Sequence, residues 1–139
     1  MFLLHYTDIN NIESIKKFGL LSWSRLVQKG IIHHPLSDQF SREIDKSKKL
    51  EDYVRLYRPS DKPPPMMWIA LSTRSEHITC IIVNEIVITW SDTLFSSENA
   101  NSINTIINNK PETALKSKNK QAEVLVKAHI PVEYLTFRD

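Results

Sequence analysis

One carboxylate stands where a basic stretch gives way to a strand, in Lys116-Ser-Lys-Asn-Lys-Gln-Ala-Glu-Val-Leu-Val-Lys-Ala-His-Ile-Pro131. Alternation puts Ala122, Val124 and Val126 on a core face and Glu123, Leu125 and Lys127 on the other. The second face passes from charged to apolar within two residues, so Glu123 is expected at the rim of a cleft. A carboxylate so placed is a candidate proton acceptor or electrostatic stabiliser. Lys116, Lys118 and Lys120, just ahead of it, could draw phosphates toward it. Taken alone, a charged residue at a strand end is more often simply solvated.

Other polar groups add to the picture unevenly. His5 and Thr7 share one face of a short N-terminal strand, and a histidine there is usually a buried one with an ordinary hydrogen-bond partner. His33 and His34 are adjacent, so their side chains diverge, and no Cys, Asp or Glu completes a ligand set; no metal is expected. Cys80 lies within Ile78-Thr-Cys-Ile-Ile-Val83 and reads as a structural thiol. Arg42 is the strong polar anchor of a short helix expected over 37–45. With only Gly19 and Gly30 in the chain, a glycine-rich phosphate loop is excluded.

The 139 residues suit one domain, 1–139. A balance of 18 basic against 16 acidic residues does not by itself announce a nucleic-acid binder, although Lys46, Lys48 and Lys49 form a second basic cluster. No apolar run is long enough to span a bilayer, and no secretory leader is recognisable, which suggests a cytoplasmic protein. Strands are expected at Phe2–Thr7, Glu51–Tyr57, Ile78–Val83, Glu85–Trp90, Glu123–Ile130 and Val132–Phe137. A helix capped near Asn10 should run to Phe18 and stop at Gly19. Residues 28–39 read as a loop over the core, and Arg58–Pro65 as a proline-rich turn. The polar stretch 91–119 reads as mobile apart from a helix near Ser102–Asn108. The sum is an α+β domain of five or six strands and two or three short helices.

Five pieces, in order, carry a family resemblance: His5-Tyr-Thr7 with Phe18-Gly-Leu-Leu21; Asp52-Tyr-Val54 with Tyr57; Pro65-Met-Met-Trp68; Ser97-Glu-Asn-Ala-Asn-Ser102; and Lys120-Gln-Ala-Glu-Val-Leu-Val126. Together they resemble the DarT family, the DNA ADP-ribosyltransferase toxins of DarTG toxin–antitoxin systems. The resemblance implies an ADP-ribosyltransferase-like split β-sandwich with short flanking helices and an NAD cleft. It implies an enzyme that uses NAD as co-substrate, without metal, to modify a base of single-stranded DNA, with RNA as the nearest alternative acceptor. A macrodomain antitoxin would be the partner. Glu123 and Arg42 would be catalytic, His5, Thr7, Tyr53 and Tyr57 would bind NAD, and Lys116, Lys118 and Lys120 would follow the nucleic acid. Breaking the nicotinamide–ribose bond creates an oxocarbenium-like transition state that a carboxylate stabilises. A competing reading is a non-catalytic nucleic-acid-binding module on the same scaffold. Modification of a protein is less well supported, because Gln121 stands where arginine-modifying enzymes carry the first glutamate of Glu-x-Glu.

Overall fold

The computed structural model describes residues 2–35, 49–59 and 78–137. Strand β1 (Phe2–Asp8) pairs antiparallel with β4 (Ile78–Asn84) along its whole length, from Phe2 opposite Asn84 to Asp8 opposite Ile78. β9 (Leu135–Phe137) closes the far edge of β4. On the other side, β3 (Tyr53–Tyr57) pairs antiparallel with β7 (Glu123–Lys127), and β5 (Leu94–Ser96) and β6 (Ile107–Asn108) extend that half. The order is β6-β5-β7-β3-β1-β4-β9, and β2 (Leu20–Leu21) pairs separately with β8 (His129–Ile130).

The two halves meet at one point. β1 and β3 share a single bridge, Leu4 opposite Tyr57. Continuing that register would set Tyr6 opposite Arg55. Instead the Arg55 carbonyl accepts from the His5 imidazole, with Nδ1 2.9 Å away. A side chain thus spans the gap in place of the ladder, and the sheet splits there, as the α+β split-sandwich expectation requires.

Alternation along each strand builds the core. Leu3, Val54, Leu56, Ile81, Val83, Val124 and Val126 are all buried in one cluster, which Ile15 of helix α1 (Ile12–Phe18) joins. The opposite face carries a small cluster of Leu50, Ala100 and Leu125, with Tyr53 packed against it. Gly19 ends α1 at φ +79, and a Cβ there would meet the Ile130 carbonyl and the His129 ring, so glycine is needed for both the turn and the close approach.

Three expectations are corrected. Residues 85–90 do not form a strand but a 3-10 helix, Glu85–Thr89, started by the Asn84 side chain accepting from the Ile86 amide at 2.9 Å. A short apolar run carries no period to separate the two states. Residues 102–108 are turns leading into β6 rather than a helix, because Ser and Thr side chains bind the backbone locally. The stretch 91–119 is built from β5, β6 and helix α3 (Pro111–Leu115) rather than left mobile. A helix that the sequence reading missed, α2 (Trp23–Lys29), starts at Ser22 and ends at Gly30 in the left-handed conformation.

Asp52 ties α2 to the main sheet. Its Oδ1 accepts from Ser22 Oγ at 2.9 Å, Ser24 Oγ at 2.8 Å and Arg25 Nε at 3.2 Å, while its carbonyl accepts from the Ala128 amide at 2.7 Å. Desolvation pushes its carboxyl upward, but hydrogen bonds from Ser24, Ser22 and Arg25, with the Arg25 charge, outweigh it and hold the pKa below 3.8. Asp52→Ala should therefore destabilise the fold by about 1–3 kcal/mol in urea unfolding at neutral pH. Because the folded-state pKa is the lower one, that advantage is full above pH 3.8 and fades as pH falls through the folded value. Wild-type and variant curves should converge in acid.

Candidate active site

Glu123 opens β7 directly opposite Tyr57 on β3, and its side chain is fully buried, at 0% exposure. The rim position expected for it is therefore replaced by an interior one. Residues 97–106, connecting β5 to β6, fold across the start of β7. The Ala100 amide donates to Glu123 Oε1 at 3.2 Å, and the Glu123 amide donates to Ser96 Oγ at 3.0 Å. Arg55, two residues from Tyr57 on the same face, brings Nε to 3.6 Å from Glu123 Oε2. Its Nη2 donates to Asn101 Oδ1 at 3.0 Å. Burial opposes the charged form of this acid, and the Arg55 guanidinium and the Ala100 amide favour it.

Tyr57 is buried beside Glu123, and its ring lies 5.9 Å from that of Tyr6, tilted by 55°. Alternation places Tyr6 on the strand face opposite His5 and Thr7. Leu4 opposite Tyr57 puts Tyr6 on the same side as the carboxylate. Tyr53 lies at the far end of β3, roughly 13 Å away at about 3.3 Å per residue, packed on Leu50, Ala100 and Leu125. The structure thus brings Tyr57 to Glu123 and leaves Tyr53 apart.

His5 sits in the seam, with Nδ1 necessarily carrying the proton that the Arg55 carbonyl accepts. When the ring is neutral, Nε2 is then an acceptor. Desolvation lowers the His5 pKa, and the hydrogen bond to Arg55 opposes this only in part. Thr7 is buried, its hydroxyl accepting from Asn11 Nδ2 at 3.0 Å; the same Nδ2 donates to the His34 carbonyl at 2.9 Å. By register His5 and Thr7 share the side of Leu3, across the seam from Glu123. A narrow pocket of about 20 Å³ joins His5 to Ser14, Phe18 and Leu26, room for about one water. His33 stacks edge-on to Trp23, with ring centroids 6.0 Å apart.

Arg42 lies outside the described residues, as do Lys46, Lys48 and the motif at 65–68. Lys116, Lys118 and Lys120 are all exposed, alternating with less exposed Ser117 and Asn119. That alternation has a cause the sequence reading missed. Arg58, just past β3, donates to the carbonyls of Ser117 at 2.7 Å and Asn119 at 2.6 Å. Ser117 Oγ also donates to the Ser97 carbonyl at 2.7 Å. The basic loop is thereby fastened to the segment that covers Glu123, with its lysines turned out. Proline-rich surroundings disguised Arg58, whose only signal was an isolated cation directly after an apolar strand.

A family model described as "DarT: ssDNA thymidine ADP-ribosyltransferase" matches residues 4–118. No curated protein matches the chain. Among solved structures, Thermosipho africanus DarTG in complex with ADP-ribose is similar over 99% of this chain, with TM-score 0.81 and 22% identity. The chain spans 44% of the length of that relative. Thermus sp. 2.9 DarT in complex with ADP-ribosylated ssDNA gives TM-score 0.75 at 16% identity, over 99% of this chain and 81% of the other. The same Thermus protein in complex with NAD+ gives TM-score 0.69 at 16% identity, over 99% and 82%. These likenesses establish the shared fold.

The seam histidine should titrate in an NMR experiment with a midpoint below 6.5. Since the unfolded chain binds that proton more readily, stability should fall as pH drops from 6.5 toward the folded value. His5→Asn should remove this component of the pH dependence in urea unfolding.

Proposed function

The chain belongs to the DarT family of single-stranded-DNA thymidine ADP-ribosyltransferases, and we propose that it transfers ADP-ribose from NAD to a thymine base of single-stranded DNA. The observation that carries this reading is the pairing of a fully buried Glu123 with Arg55 and the Ala100 amide beside Tyr57, at the point where the sheet splits. A binding module has no use for a desolvated carboxylate at that position.

In the proposed reaction the nicotinamide–ribose bond breaks, a bond from the ribose carbon to a base nitrogen forms, and that nitrogen loses its proton. Glu123 stabilises positive charge as it develops on the ribose, which is strongest in a site without water. Arg42 is proposed as the group that polarises the acceptor and helps remove its proton. His5, Thr7 and Tyr57 are proposed to line the NAD side, and Tyr53 is retained as a more distant stacking residue. The imidazole serves best neutral, with Nε2 as acceptor toward a hydroxyl or amide, a state that its lowered pKa favours.

The acceptor strand is proposed to cross the two fastened loops. Ile103 and Ile106, 96% and 61% exposed, offer apolar surface to an unstacked base, and Lys116, Lys118 and Lys120 lie toward the backbone phosphates. RNA remains the alternative acceptor of the same chemistry. A macrodomain antitoxin is the proposed partner and the cytoplasm the proposed location. Among the described residues no helix is long and apolar enough to cross a membrane.

Two measurements test this reading. Glu123→Gln should keep NAD affinity in calorimetry while transfer to a single-stranded oligonucleotide falls by roughly a hundred- to a thousand-fold. Transfer at near wild-type rate would exclude Glu123 from the chemistry. Replacing Lys116, Lys118 and Lys120 together by Ala should flatten the salt dependence of DNA binding by about two logarithmic units per decade, at about 0.7 for each phosphate contact. NAD affinity should not change, and an unaltered slope would leave the lysines as solvated loop residues.

A further inference from the structure

Arg55 joins the carboxylate to the segment that covers it. Its Nε lies 3.6 Å from Glu123 Oε2, and its Nη2 donates to Asn101 Oδ1 at 3.0 Å. One residue before Asn101, the Ala100 amide donates to Glu123 Oε1 at 3.2 Å. Guanidinium, carboxylate and the 100–101 backbone therefore form a closed ring of contacts. Asn101 is itself set by its amide donating to Asn99 Oδ1 at 2.9 Å. Both Ala100 and Glu123 are at 0% exposure, so the ring is drawn tight over the acid.

The same segment reaches solvent at its other end. Ile103 stands at 96% exposure, and the segment is closed below it by the Ser97 amide donating to the Ile106 carbonyl at 2.9 Å and the Ile106 amide donating to Ser97 Oγ at 2.9 Å. Residues 102–106 are thus joined to the carboxylate through Asn101 and Arg55. A lysine could not bridge in this way, because a single ammonium lacks the fork that reaches two acceptors in fixed geometry.

We propose that Arg55 is a positioning residue that latches residues 99–101 to Glu123, so that an acceptor strand seated on 102–106 is felt at the carboxylate. This rests on the transferase reading above. In the latched state the carboxylate is enclosed, and access of the ribose to it requires the segment to yield. Engagement of the acceptor at the exposed end supplies the force that opens it, which makes NAD cleavage dependent on acceptor and limits its loss to water.

The test uses wild type, Arg55→Met, Arg55→Lys, Asn101→Ala and the double variant Arg55→Met/Asn101→Ala. Hydrogen exchange followed by mass spectrometry should quicken at residues 99–101 by about tenfold or more in Arg55→Met and in Asn101→Ala, with exchange in β4 unchanged. Nicotinamide release from NAD should rise on adding a single-stranded oligonucleotide in wild type, whereas in Arg55→Met acceptor-free release should be higher than in wild type and most of the response to oligonucleotide lost. In the presence of the oligonucleotide, kcat should fall about ten- to a hundred-fold in Arg55→Met, with KM for NAD within about threefold. Arg55→Lys should recover part of kcat, since it restores the charge without the fork. The double variant should be no worse than Arg55→Met alone, because both substitutions cut one chain of contacts. Unchanged exchange at 99–101, or additive losses in the double variant, would overturn the latch. If wild type shows the protected segment yet releases no nicotinamide under any condition, the transferase reading fails, and the exchange data decide the latch by themselves.

Discussion

The parting of β1 from β3 is the constraint on which the rest depends. Two well-paired strand sets could have shared a full ladder, yet their backbones are bridged only where Leu4 stands opposite Tyr57. Beyond that bridge a backbone carbonyl would be left without a partner, at a cost of about 1–3 kcal/mol when buried, and His5 supplies the missing donor. An imidazole is wider than a peptide N–H, so satisfying the carbonyl in this way also props the strands apart. Structure and site thus share one residue, and the cost of opening the sheet is met by the same side chain proposed to face NAD.

A second consequence follows for charge. Glu123 enters the interior because β7 pairs with β3 on one side and β5 on the other, which leaves its first residue covered once residues 97–106 cross above it. An isolated carboxylate there would take up a proton. The guanidinium of Arg55 and the Ala100 amide oppose that, and both come from the elements that create the burial. Preorganised groups of this kind lower a barrier more than flexible ones, since they need no rearrangement as charge develops.

Around this centre, cations act as fasteners more than as surface charges. Arg58 gathers the carbonyls of Ser117 and Asn119, Arg25 joins Ser22 and Ser24 on Asp52, and Arg55 joins Asn101 to Glu123. Arg58 uses both terminal nitrogens of its planar fork on loop carbonyls, Arg55 spans two side chains, and Arg25 reaches Asp52 through Nε alone. The lysines do the opposite, standing out from the loop that Arg58 holds.

Sequence alone determined the phase of the long strands and the family. Alternation in Phe2–Thr7, Glu51–Tyr57 and Glu123–Lys127 separates the two faces of each strand, because a strand has a period of two whatever it packs against. Gly19 and Ser22 mark local turns through backbone chemistry that needs no distant partner. Burial of Glu123 could not be read this way, since the segment covering it lies some twenty residues earlier and meets it only through strand pairing. Nor could the places of Arg55 and Tyr6 beside it, which depend on Tyr57 standing opposite Glu123 and Leu4 opposite Tyr57. Residues 85–90 and 102–108 went wrong for a related reason: short segments lack enough periods to declare themselves, so capping and neighbouring strands decide them. That an acid stands where β7 begins was legible in the chain; its environment was decided by contacts between residues far apart in sequence.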